Sequence, residues 1–326
     1  MKRNLAWVLL LAIITVALFA LTVGSSSIGL VSTLKVLTGQ NPSASQRYII
    51  INLRLVRIIA SLFAGAILAL SGLSYQAVLR NPMADPFILG VSSGSSFGVA
   101  LAIYFGFATR VGLPSSALGG ALGTTLFILA LASRKRSSNT VLLLSGVAAN
   151  YILSAAMTLL LFLNREQYQR ILSWSLGSFS TATWAQVIIV TLVALFLFLF
   201  LHLNNKNLDL LLLDEGSARS SGLAVETVRY RLLIISSFAT ALCVAFFGVI
   251  GFIGLMAPHI TRLILGAKHK RLLLPTALFG ALLLLFSDTL ARILLPAGEL
   301  PVGVITSLLG VPLFLTLILK GRYRFG

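Results

Sequence analysis

Charge is the scarcest property of this 326-residue sequence: 10% of its residues are Asp, Glu, Lys or Arg, against about 25% in soluble domains. With 58% hydrophobic residues and 27 glycines besides, too few charges remain to cover a water-facing surface. That excludes a soluble enzyme, a disordered chain and a collagen-like fibre. Cysteine occurs once, as Cys243 within an apolar run, so no disulfide forms inside the chain. Three scattered histidines without a second cysteine build no metal site. No G-x-x-x-x-G-K-[ST] loop occurs, so the chain does not itself bind ATP by that device. No series of mid-span carboxylates is present of the kind that proton or sodium relays use. The net charge of +17 would suggest nucleic acid in a soluble protein. Here the basic residues sit in short connectors between apolar runs, as in Arg134-Lys135-Arg136, Lys268 to Arg271 and Lys320 to Arg324. That placement orients membrane insertion instead, and nucleic acid is set aside as a partner.

A spanning helix needs about 20 apolar residues. Runs of that kind cover Leu5–Val23, Ile58–Leu79, Phe87–Thr109, Val111–Ala132, Val141–Leu163, Trp184–Leu203, Leu272–Pro296 and Leu300–Leu319. The first is read as a retained span, because its apolar stretch of 19 residues is longer than a signal-peptide core. Leu232–Ala267 holds 36 residues with one charge, Arg262, too many for one crossing. Basic residues flank both of its ends, so it is expected to cross twice, reversing near Gly248, Gly251, Gly254 and Pro258 as a full helix and a short returning one. The expectation is therefore an all-α polytopic protein with ten transmembrane helices, both termini cytoplasmic, and one domain over residues 1–326. Of the 25 Lys and Arg, 16 then fall on the cytoplasmic side and 6 outside, with Arg57, Arg262 and Arg292 at span edges. The triplet Arg134-Lys135-Arg136 is expected to act as a topology determinant. In the third span Gly90, Gly94, Gly98, Ala102 and Gly106 recur every four residues, a stripe of small residues that lets another helix approach.

At this point five motifs in order carry a resemblance. They are Arg54-Leu55-Val56-Arg57; Asn81-Pro82-Met83-Ala84-Asp85-Pro86 leading to Leu89-Gly90-Val91-Ser92; Asp214-Glu215-Gly216-Ser217-Ala218-Arg219 with Gly222-Leu223; Gly251-Phe252-Ile253-Gly254-Leu255 with Pro258-His259 and Arg262; and Glu299-Leu300-Pro301-Val302-Gly303. From about Leu53 to Leu319 the chain resembles the FecCD-type permeases, the membrane subunits of ATP-driven importers for iron chelates, haem and vitamin B12. Val56 stands where the family often has proline, and Met83 where it often has leucine; both are apolar exchanges. The resemblance implies a type II ABC importer permease with ten helices in the cytoplasmic (inner) membrane of a bacterium or archaeon. It also implies a second, expectedly identical permease copy, two cytoplasmic ATP-binding subunits and an extracytoplasmic substrate-binding protein. No catalytic residue and no cofactor is expected. Ferric siderophore is the first cargo expected, with vitamin B12 and haem as alternatives and an ion-gradient-driven carrier as the reading from a different class.

Three groups of residues follow as candidates. Leu213, Asp214, Glu215, Gly216, Ser217, Ala218, Arg219, Gly222 and Leu223, within a cytoplasmic loop of about 204–230, are too polar for lipid. Asp214 is suited to cap a short helix there and Gly222 to end it. With the resemblance, this segment is expected to be the ATPase contact. Arg54, Arg57 and Arg292 fall at outer span ends, where the resemblance implies docking on acidic residues of the binding protein; the bland alternative is that they anchor span ends and that Arg292 is neutralised by Asp288. Asn81, Pro82, Asp85, Pro86, Gly251, Gly254 and Pro258 are pathway or gate candidates, with helix punctuation as the plainer reading of the prolines. Pro258 is expected near a helix start, with His259 a polar group there rather than a ligand. Trp174 and Trp184 read as interfacial anchors, or as aromatic contacts for a bulky chelate.

Overall fold

In a bilayer every backbone N–H and C=O must be satisfied within the protein, and a helix does so segment by segment. The computed structural model follows that rule: it describes residues 4–24, 28–40, 43–133, 139–163, 165–295 and 298–319, with no strand among them. The triplet Arg134-Lys135-Arg136 lies outside the described residues.

The helices are α1 (Leu5–Thr22), α2 (Leu30–Leu37), α3 (Ala44–Tyr48), α4 (Val56–Leu79), α5 (Val91–Tyr104), α6 (Gly112–Ser133), α7 (Asn139–Leu163), α8 (Tyr168–Ser175), α9 (Trp184–Leu203), α10 (Asn205–Leu211), α11 (Glu215–Ser220), α12 (Val225–Phe247), α13 (Ile253–Leu265), α14 (His269–Ile293) and α15 (Val302–Leu319). A π-helical segment, Ile49–Leu55, joins α3 to α4 without a break. Among the described residues, seven helical stretches are long and apolar enough to cross a membrane: α1, the continuous Ala44–Leu79, α6, α7, α9, α12 and α14. Three shorter apolar helices are α5, α13 and the stretch Val302–Thr316 of α15.

Burial separates the centre from the rim. In the continuous Ala44–Leu79 helix, α12 and α14, 67% of the apolar window is buried, against 6% in α7. Lipid gives no hydrophobic drive to pair helices, so the central contacts rest on close backbone approach between small residues. A Cβ on Gly72 of α4 would lie 1.9 Å from the Gly254 carbonyl oxygen of α13. One on Gly65 would lie 2.3 Å from the Gly280 oxygen of α14, and one on Gly94 of α5 2.4 Å from that of Gly120 on α6. The small stripe of the third span is thus the α5–α6 seam, but it ends at Ala102, because α5 stops at Tyr104 and Gly106 has open space around it.

Three boundaries differ from the sequence reading. The second span does not begin at Ile58: helix starts at Ala44, where Ser43 and Gln46 form a reciprocal capping box. The third span shrinks from Phe87–Thr109 to Val91–Tyr104, because Asp85 caps a separate 3₁₀ turn over Pro86–Leu89 and Gly90, at φ 77°, breaks between them. Pro258 lies inside α13, which starts at Ile253, not at the helix start. The 36-residue apolar run does divide as expected: α12 ends at Phe247, and the chain reverses over five residues to α13.

Candidate functional sites at the two ends of the bundle

α4 and α14 are antiparallel neighbours, and each end of the pair carries one group of polar residues. At the end of α4 nearest α3, Arg57 donates from Nε to both Asp288 oxygens at 2.9 Å, and its terminal nitrogens reach Asp288 at 2.8 Å and Glu299 at 2.6 Å. Arg292 stands 3.5 Å from Asp288 and donates to the Ala20 and Val23 carbonyls at 3.3 and 3.4 Å. Arg54 donates to the carbonyls of Leu21 at 2.6 Å and Ile28 at 3.2 Å. Two arginines therefore satisfy carbonyls at the C-terminal end of α1, groups that a helix cannot bond internally.

The three arginines expected at outer span ends line one recess of about 180 Å³ together with Glu299 and Ser180. They do not present parallel guanidinium forks. Arg54 turns to α1 and Arg57 to α14, and all three are less than 9% exposed. The cause is the longer helix: Arg54 and Arg57 sit inside a continuous element under α1 instead of at its tip. Asp288 bonds mainly to Arg57 rather than to its i,i+4 neighbour Arg292.

A second, wider recess of about 780 Å³ opens beside this cluster, lined by Tyr48, Arg110, Trp174, Trp184 and Gln186 among others. Trp184 is 37% exposed and donates to Asn52 at 3.2 Å, an amphipathic placement suited to a membrane boundary. His259 is buried within α13, and no group of three metal-binding side chains occurs among the described residues.

The gate candidates divide. Asn81 accepts from the Met83 N–H at 2.8 Å and Asp85 from Phe87 at 2.8 Å, each making a local turn that punctuates the chain. Burial pushes the Asp85 carboxyl up to about 6, against the opposing bond from Phe87. A Cβ on Gly254 would lie 3.3 Å from Pro86 Cδ and 3.4 Å from Asp85 Oδ2, so these three residues meet where α13 begins. Gly251 has nothing within 4 Å of its Cβ position, and Pro258 is buried inside α13.

At the opposite end, α11 forms with the caps read from its residues. Asp214 accepts from the Ser217 N–H at 2.9 Å; the Ser217 side chain first, and this N–H with it, hold its exposed carboxyl below the ordinary range, and Gly222 takes φ +82°. Asp214 to Ser217 and Arg219 to Gly222 are exposed, while Ala218 and Leu223 point inward as anchors. Arg219 bonds Glu215 at 3.0 Å and also pairs with Glu226. Two further contacts escaped sequence reasoning. Arg80 at the end of α4 donates to the Leu211 carbonyl of α10 at 2.7 Å, and Asp209 of α10 bonds His269 at the start of α14. Burial pushes the Asp209 carboxyl up, but the bonds from His269 outweigh it and hold the group below the ordinary range.

A bundle of long apolar helices with close glycine seams and buried, paired charges defines a multi-pass membrane protein. The chain belongs to the FecCD transport family, whose model matches residues 10–320. It is 37% identical over 321 residues to the hemin transport system permease protein HmuU of Yersinia pestis, covering 96% of each chain. It is 36% identical over 283 residues to the vitamin B12 import system permease protein BtuC of Vibrio cholerae, covering 86% of this chain and 85% of that one. Among solved structures it is similar to an inward-facing ABC transporter assigned to the metal-chelate type, with a TM-score of 0.87 and 34% identity over 98% of this chain and 99% of the other.

Proposed function

We propose that this chain is the permease subunit of an ATP-driven importer for a large metal chelate, passing cargo inward between two permease copies by alternating access. The observation that carries the reading is likeness to transport permeases along nearly the whole chain. The seven long and three short apolar helices among the described residues fit ten crossings, and the distribution of basic residues supports cytoplasmic termini. ATP hydrolysis belongs to two separate cytoplasmic subunits, since the sequence has no phosphate loop of its own. The exposed face of α11, within the loop of about 204–230, receives them.

In this orientation the arginine recess faces outward. Arg54, Arg57 and Arg292 are the docking point for an extracytoplasmic binding protein, with Glu299 and the rim of the recess as the accessible part. The junction of Asp85 and Pro86 with Gly254 is the inner gate, flanked by Asn81 and Pro82. Pro258 and Gly251 belong to the same helix and its entry turn. Haemin and vitamin B12, named for relatives of similar identity, have the same support as a ferric siderophore.

Transport by the assembled complex in proteoliposomes tests the reading. Ferric siderophore, haemin or cyanocobalamin, delivered by the binding protein, is expected to accumulate only with internal ATP, to stop with vanadate and to ignore an ionophore. Uptake by this chain alone, abolished by the ionophore, would overturn it in favour of an ion-driven carrier.

A further inference from the structure

α11 has six residues and meets the bundle both at α12, through Arg219 and Glu226, and through the seven residues of α10. A push on so small a helix does mechanical work only if its support is stiff. The structure holds α10 from two sides.

Asp209 Oδ1 accepts from the backbone N–H of His269 at 2.9 Å and stands 2.7 Å from His269 Nδ1. His269 is the first residue of α14, so its N–H is one of the donors that a helix leaves unpaired, at the positive end of its dipole. One carboxylate oxygen thus takes two bonds from one residue, fixing angle as well as distance. An ionised carboxylate has no hydrogen to give, so Nδ1 carries it. The ring is fully buried, and its Nε2 has no hydrogen-bond partner among the described residues, which leaves Asp209 as its polar anchor. Two residues on, the Leu211 carbonyl accepts from Arg80 Nε at 2.7 Å. Arg80 ends α4 in the left-handed region at φ 49°, which turns its side chain off the helix axis.

α10 is therefore bonded to the adjacent ends of α4 and α14. Those two helices are held together midway by the Gly65–Gly280 approach and at the far end by Arg57 and Asp288. At 1.5 Å per residue the 25 residues of α14 extend over about 37 Å, enough to cross the membrane.

We infer that Asp209, His269 and Arg80 are positioning residues that lock the ATPase-coupling segment to the α4–α14 pair, so that displacement of α11 moves both helices, and the arginine cluster they carry, as one strut. The inference rests on the reading of α11 as the ATPase contact.

The test uses the full complex in proteoliposomes, measuring cargo moved per ATP, ATP hydrolysis and co-purification of the ATPase subunits. Asp209→Ala is expected to keep the ATPase subunits bound and hydrolysing while cargo moved per ATP falls at least about fivefold, the lower end of a coupling free energy between sites. Asp209→Asn, whose Oδ1 still accepts both bonds, is expected to restore most of the coupling. Arg80→Met, which cuts the other bond, is expected to uncouple in the same sense, so the inference stays open to test if Asp209→Ala inserts poorly. Cargo per ATP unchanged in both Asp209→Ala and Arg80→Met would overturn it. So would equal loss of hydrolysis and transport with release of the ATPase subunits, which marks a merely structural support. Gly216→Trp, on the exposed face of α11, separates the two readings. If it leaves ATPase binding intact, α11 is not the contact and the strut falls with it.

Discussion

Asp288 has no exposure to solvent and takes its closest bonds from Arg57, between 2.8 and 2.9 Å. Replacing Arg57 by methionine, similar in length and apolar, removes that partner and leaves the carboxylate facing Arg292 at 3.5 Å. Breaking a buried pair from one side costs about 3–5 kcal/mol, because the surviving charge is desolvated without compensation. The lower end applies here: Arg292 is close enough to move in, and the Glu299 side chain, 35% exposed, regains water. Asp288→Leu leaves Arg54, Arg57 and Arg292 around the single carboxylate of Glu299 and falls in the same range. The double variant Arg57→Met/Asp288→Leu removes the pair together, leaving Arg292 on the Ala20 and Val23 carbonyls with Glu299 in the same recess, and is expected to recover most of the loss, ending within about 1 kcal/mol of the parent. At roughly 2 °C per kcal/mol for a chain of this size, Arg57→Met lowers the midpoint by about 6 °C, Asp288→Leu by about 6–10 °C and the double by about 2 °C. The chain supplies its own probe. Cys243 is its single cysteine and is 3% exposed, so a thiol-reactive dye reports unfolding of the detergent-purified protein on a temperature ramp. If the double variant loses as much as the two single changes added together, the buried charges are uncoupled and the reasoning is wrong.

Three further outcomes follow from particular contacts. Because Asp85 titrates near 6 rather than 3.8, its share of stability is full below pH 4 and is lost as pH rises through 6, about 3 kcal/mol in all. Asp85→Asn should therefore be the more stable protein at pH 7.5 and flatten the dependence between pH 5 and 7, read by tryptophan fluorescence on heating; a parallel decline in both proteins would count against it. Gly72→Ala places a carbon 1.9 Å from the Gly254 oxygen and should cost several kcal/mol, about 3 or more, by forcing α4 and α13 apart. Gly119→Ala on α6, with nothing within 4 Å, should be neutral or gain up to about 1 kcal/mol of helix propensity; equal midpoints for the two would refute the seam. Phe252 sits at φ 68°, so Phe252→Gly should exceed Phe252→Ala in stability by about 1 kcal/mol, since both lose the ring and only glycine relieves the backbone. Thermal midpoints of the two variants decide it.

Much of the chain is legible because lipid imposes a simple rule on sequence. A span must be about 20 residues of apolar helix, so the run Trp184–Leu203 and the division of Leu232–Ala267 could be counted off and match α9, α12 and α13 closely. The short helix α11 was equally readable, since an Asp cap and a left-handed Gly are local devices. The start of the second span was misplaced because Arg47, Arg54 and Arg57 look like the end of an apolar stretch. The capping box of Ser43 and Gln46 was the available signal for the true start.

Partners across the bundle are another matter. Nothing local distinguishes Arg292, four residues after Asp288, from Arg57, 231 residues before it, as the carboxylate's main partner. The choice follows from the antiparallel packing of α4 on α14, and that packing follows from small residues that let two backbones touch. The same holds for Asp209 with His269 and Arg80 with Leu211, each a pairing of a connector with a distant helix end. Composition and hydropathy alone thus determined that this protein lives in a membrane as helices and which loop is polar, but not where the second and third spans begin. Which buried charge meets which was decided by tertiary structure, because in a medium without water a charge is stable only beside its partner, and packing chooses the partner.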